Sequence, residues 1–229
     1  MVASIGFVSG FLVADNSMLI AYNEGFEKYN IEDGNFRTAE QVHKTQREEI
    51  EALGVKLYDN YYVEEPLDNG STMRFFKNRQ QVDKVCLMKG ELLPGQERLP
   101  LTECMQTTTI CLWEIRSGAE KRTWKITGLV ALSDYSCLFQ NNNDSMFDAV
   151  KFGVSVVTEE EFDSLEQEKL QYNYSWIYDE KPKTEKEEKE VSEDLMEDMG
   201  KIVTLEAFVP RYLNQAITFT GMIWVETRP

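Results

Sequence analysis

Histidine is nearly missing from this 229-residue chain: His43 is the only one. That excludes multi-histidine metal centres and leaves one imidazole for acid–base work. Flanked by "TAEQV" and "KTQRE", His43 reads as a solvent-facing helix residue. Cysteine is sparse as well. Cys86, Cys104, Cys111 and Cys137 contain no C-x-x-C pair, and the six residues between Cys104 and Cys111 match no common zinc spacing. They read as reduced thiols filling small core positions. The nucleotide and hydrolase signatures G-x-G-x-x-G, the P-loop, G-x-S-x-G and H-E-x-x-H are all missing. No cofactor and no metal are expected.

Long apolar runs are lacking too. The stretch from Val2 to Ala14 has no Lys or Arg before it, unlike a signal peptide. It also falls short of the roughly 20 apolar residues that a membrane span requires. A hairpin, "GFLVA" then "SMLIAY", suits it better. The expected location is therefore cytoplasmic, host-cell cytoplasm included, or inside a virion. The sequons at Asn69, Asn143 and Asn173 carry no meaning without secretion.

Positive charge is the next shortage: 24 bases face 40 acids, for a net charge of −16. Direct nucleic-acid binding through a basic patch is not expected, because neutralising phosphates needs clustered Lys and Arg. "MRFFKNR" (Met73–Arg79) superficially resembles an aromatic platform for bases. At period two, however, Phe75 and Phe76 point to opposite faces, so one belongs to a core. "QNNNDSMFD" (Gln140–Asp148) offers oxygen ligands without the order of an EF-hand, and reads as a polar loop.

Strand signals are what the chain has in plenty. "VKLYDNYYV" and "STMRFF" flank an Asn69-Gly70 turn, and "TTTICLWEIR" and "KRTWKITGLVAL" flank Ser117-Gly118. Further strands are expected at Ala149–Val157, Lys201–Val209 and along "QAITFTGMIWVE". Helices are expected at Thr38–Leu53, with Thr38 and Gln41 in capping-box positions, and from Thr158 to near Tyr172. The fold class is mainly β within α+β, an antiparallel sandwich or barrel-like domain with a helical acidic insertion. Residues 1–157 and 201–229 form the β domain with a surface helix near 38–53; residues 158–200 form the inserted arm.

The arm contains "DEKPKTEKEEKEVSEDLMEDMG" (Asp179–Gly200), where ten carboxylates meet four lysines. Thr184 and Glu187 form a capping box, but Glu190/Asp194, Glu193/Glu197 and Asp194/Asp198 are like-charge i, i+4 pairs that fray a lone helix. Val191, Leu195 and Met199 share one side. The partner-binding candidates are those three with Glu193, Asp194, Glu197 and Asp198. Deleting the arm is expected to leave the β domain folded.

These features lead to the expectation of a non-enzymatic structural or interaction subunit of a larger assembly: a viral or phage tail, connector or capsid-associated component, where an acidic surface lets DNA pass without adhering. Its partners would be other protein subunits, through self-association or hetero-assembly. The alternative is an acidic inhibitor or adaptor on a basic surface, such as that of a nucleic-acid enzyme. A third reading is a carboxylate-based hydrolase, which would show two close carboxylates with raised pKa in a cleft.

Overall fold

The computed structural model describes residues 24–90, 98–102, 115–117, 122–135 and 137–217. Two sheets share one strand. The first is antiparallel, in the order β11 (Leu205–Pro210), β1 (Gly34–Thr38), β10 (Leu170–Tyr178), β2 (Val55–Asp59). The second runs β10, β3 (Tyr62–Pro66), β4 (Thr72–Lys77), β9 (Phe152–Val157), β6 (Arg98–Thr102), β8 (Arg122–Ala131), β5 (Cys86–Gly90). β7 (Ile115–Ser117) pairs antiparallel with β8, and so supplies the pairing expected of the second hairpin.

The fold is α+β, and the expectation of a wholly antiparallel sandwich or barrel is corrected in two respects. The seven-strand sheet is mixed, with β4/β9 and β6/β8 parallel, and it is not closed into a barrel. Parallel neighbours need long crossovers, and residues 78–151 between β4 and β9 provide one. No local pattern could show that these two strands meet.

Local signals set several boundaries. Gly70 has φ +79° in the turn joining β3 to β4, as the Asn69-Gly70 pair requires. Thr158 Oγ1 accepts the Glu161 N–H at the start of the short helix Glu159–Asp163, and Phe162 and Leu165 are buried behind it. Thr184 Oγ1 accepts the Glu187 N–H at the start of the long helix Glu185–Ile202.

Other boundaries differ from the sequence reading. Thr38 lies in β1 opposite Tyr172, so the helix expected from Thr38 begins later, at Lys44–Glu51 (α1). Gln46 Oε1 accepts the His43 N–H there. The helix from Thr158 stops at Asp163 (α2), and Leu170–Tyr178 is the strand shared by both sheets. Residues 158–200 are thus not helical throughout. Tyr174 and Trp176 are fully buried at alternate positions of β10, and tertiary burial overrides the helical signal of the preceding "TEEEF". Lys201 and Ile202 belong to the long helix Glu185–Ile202 (α3), so β11 begins at Leu205.

One face of the first sheet carries Phe36, Tyr174, Trp176, Val55 and Leu57. It packs against Ile50 of α1 and Leu195 and Met199 of α3. Phe36 stacks on Tyr174 at 5.1 Å between centroids, and Trp176 on Phe208 at 4.7 Å. Each fully buried large apolar side chain contributes about 1.5–3 kcal/mol. The acidic helix therefore holds because it covers this aromatic face. The expectation that it could be deleted without harm is corrected by the burial of Leu195 and Met199.

Phe75 and Phe76 do point to opposite faces of β4. Both are buried, in separate apolar clusters, so neither forms a base-stacking platform. The hairpin expected at residues 10–22, Cys104, Cys111 and most of the terminal alternating strand lie outside the described residues.

Candidate functional site

The other face of the first sheet is polar. Alternation along β1 sends Phe36 into the core and leaves Asn35 and Arg37 opposite it; along β10, Asn173 and Ser175 alternate with Tyr174 and Trp176. The register aligns Asn35 with Ser175 and Arg37 with Asn173. This face, with residues 139–143 and 214–216, encloses a cavity of about 400 Å³. That lies within the range of small-molecule pockets, roughly 300–1,000 Å³.

Charged groups along the cavity are paired. Arg37 Nε donates to Glu206 Oε2 at 3.0 Å, and its Nη1 donates to the Tyr62 hydroxyl at 3.1 Å. Arg74 bonds Glu64, donates to the Tyr135 hydroxyl at 2.6 Å, and lies over the Tyr62 ring at 4.3 Å. Arg79 grips Asp134 in a bidentate pair, at 2.6 Å and 3.0 Å. Two donors remain available. Arg37 Nη2 and the Asn173 carboxamide have no hydrogen-bond partner among the described residues.

Behind the cavity sits a buried acidic cluster. Glu32, Asp83 and Asp134 are 2%, 1% and 4% exposed. Asn35 Nδ2 donates to Glu32 Oε1 at 2.6 Å, and the Glu32 N–H donates to Asp83 Oδ1 at 2.9 Å. Burial, then repulsion from Glu32 and Asp134, holds the Asp83 carboxyl well above its ordinary range. Burial, then repulsion from Asp134, raises Glu32. Among the described residues, no group of three or more His, Cys, Asp or Glu side chains could hold a metal ion. No described helix is long and apolar enough to cross a membrane.

The residues singled out from the sequence lie elsewhere, on α3. Leu195 and Met199 are buried in the core shared with the first sheet, whereas Val191 is 38% exposed. Glu193, Asp194 and Glu197 are exposed, and Asp198 is half-buried. Glu193 pairs with Lys189, and Lys201 reaches both Glu197 and Asp198. His43 is exposed and lines a second cavity, of about 440 Å³, between residues 38–46 and 200–204.

Sequence reasoning missed Glu32, Arg79, Asp83 and Asp134, which come from separate segments with no shared spacing. It met Asn173 and Ser175 only as a sequon. Their common face was the available signal. "QNNND" was read as a polar loop, and its first four residues line the cavity.

No protein-family model matches this chain, and no curated protein matches it. Among solved structures it is similar to the periplasmic region of MacB from Actinobacillus actinomycetemcomitans, at 12% identity and a TM-score of 0.39 over 86% of this chain and 92% of that one. It is also similar to the extracellular domain of the noncanonic ABC-type transporter YknZ from Gram-positive bacteria, at 11% identity and a TM-score of 0.32 over 77% and 97%. Neither is a particle component, and neither is cytoplasmic. The expectation of a viral or phage subunit in the cytoplasm or a virion is corrected accordingly. Likeness this distant transfers no activity to the present chain.

Proposed function

We propose that the chain is a non-catalytic binding domain whose polar cavity takes a small, uncharged, hydroxyl-rich ligand of the saccharide type. The observation that carries this reading is the cross-strand pair Arg37 and Asn173, which offers available donors beside a 400 Å³ cavity whose exposed charges are already paired. A net charge on the ligand would meet no free counter-charge. Hydroxyl groups, which donate and accept, match carboxamides and a guanidinium edge. Tyr135 at the wall adds aromatic surface for the C–H face of a sugar ring.

The same geometry disfavours hydrolysis. The two carboxyls of the buried cluster with raised pKa, Glu32 and Asp83, are bonded to neighbouring side chains, whereas glycoside cleavage needs an acid and a second carboxylate flanking the bond. Glu206, the more exposed acid, is held by Arg37.

Calorimetric titration of the whole chain with a panel of mono- and disaccharides tests the reading. Binding is expected for at least one member, and Asn173→Ala should weaken it about 3- to 10-fold, the effect of one neutral hydrogen bond. Binding of charged ligands alone, or saccharide binding indifferent to Asn173→Ala and Arg37→Lys, would overturn it.

A further inference from the structure

We infer that Glu32 and Asp83 share one proton through the hydroxyl of Ser175, forming a pH-sensitive joint between the two sheets. The argument is a count of hydrogens. Ser175 Oγ lies 2.5 Å from Glu32 Oε2 and 3.3 Å from Asp83 Oδ2, and it accepts from Asn60 Nδ2 at 2.9 Å. A serine hydroxyl has one hydrogen and two acceptor positions. It can donate to one carboxylate only, so the second carboxyl is satisfied at this oxygen only if it brings its own proton. With one proton present, every position closes. One acid donates to Ser175, Ser175 donates to the other acid, and Asn60 fills the remaining lone pair.

The surroundings favour that proton. The cluster of Glu32, Asp83 and Asp134 faces one guanidinium, Arg79, which is committed to Asp134 and stands 3.9 Å from Asp83. Asn35 on β1 and Asn60 before β3 supply only neutral contacts. Two bare carboxylates meeting at one buried oxygen would repel, and a single guanidinium already paired with Asp134 offsets that repulsion only in part. Burial raises the pKa of both acids in the same direction.

The joint ties distant parts of the chain: Glu32 precedes β1, Asp83 follows β4, and Ser175 lies in β10. Its titration should therefore register in global stability. The folded state retains a proton that the unfolded chain releases near the ordinary carboxylate pKa of about 4. Stability is thus greatest below that value and falls as pH rises through the raised one. One proton corresponds to about a tenfold change in the folding equilibrium per pH unit within that window.

The inference does not depend on what the cavity binds. Its test is infrared spectroscopy of the whole chain at neutral pH, with urea unfolding between pH 4 and 9. A protonated carboxylic acid band is expected at neutral pH, lost in Glu32→Gln and in Asp83→Asn. Each of these neutral variants should flatten the pH dependence of unfolding by about tenfold per unit relative to the parent. Absence of the band in the parent overturns the inference even if neither variant folds. So does an unchanged pH profile in variants that do fold.

Discussion

Gly34 lies flush against the indole of Trp176, its partner across β1 and β10. A Cβ built on Gly34 would sit 2.2 Å from Cζ2 of that ring. The indole is itself pinned, stacked on Phe208 on one side and fully buried. It cannot retreat without opening the core under α1 and α3. Gly34→Ala should therefore destabilise by about 1–3 kcal/mol or more through overpacking. A thermal transition unchanged by this substitution would show that the ring can move.

Arg79 and Asp134 are both buried, and each neutralises the other. Removing one charge strands its partner, which costs about 3–5 kcal/mol. Arg79→Met should be the worse of the two single changes, because it leaves three acids without their cation. Urea unfolding of Arg79→Met and Asp134→Asn measures the difference, and equal midpoints would contradict the charge argument.

On α3, apolar and acidic positions should behave oppositely. Leu195→Ala and Met199→Ala are each expected to cost about 2–5 kcal/mol, since both side chains are buried against the sheet. Glu193→Gln and Glu197→Gln should stay within about 0.5 kcal/mol, being exposed and only loosely paired. Deleting residues 181–199 should abolish the cooperative transition. A truncated chain that still unfolds cooperatively would mean the aromatic face needs no helical cover.

Two phenols report on alkaline stability. Burial pushes Tyr135 up to about 12, against the opposing pull of Arg74, and burial likewise pushes Tyr178 up to about 12. Unfolded tyrosines ionise near 10. Between those values the folded chain holds protons that the unfolded chain has lost, so stability should fall as pH rises through the window. Ultraviolet titration of phenolate should show a fraction of the tyrosines ionising together with unfolding. If every tyrosine titrates near 10 while the fold persists, the burial argument fails.

The legible part of the fold was the part made by neighbours in the chain. Thr158 with Glu161, Thr184 with Glu187, and Asn69 with Gly70 each act within four residues, and all sit where their chemistry puts them. The long acidic helix was legible as well, although its like-charge pairs argued for fraying. Contact with the sheet through Leu195 and Met199, and Lys201 near Glu197 and Asp198, explains why it persists to Ile202. The strand Leu170–Tyr178 was not legible, because its neighbours on either side come from distant parts of the chain.

The sequence by itself determined the Asn69-Gly70 turn, the helix starts after Thr158 and Thr184, and the acidic surface. Those features depend on backbone preference and side-chain period, which act over a few residues. Tertiary structure alone decided that β4 and β9 run parallel, that Arg37 meets Asn173, and that Glu32 and Asp83 converge on Ser175. Those outcomes depend on burial and charge pairing between segments up to about 140 residues apart, and no local pattern encodes the distance between them.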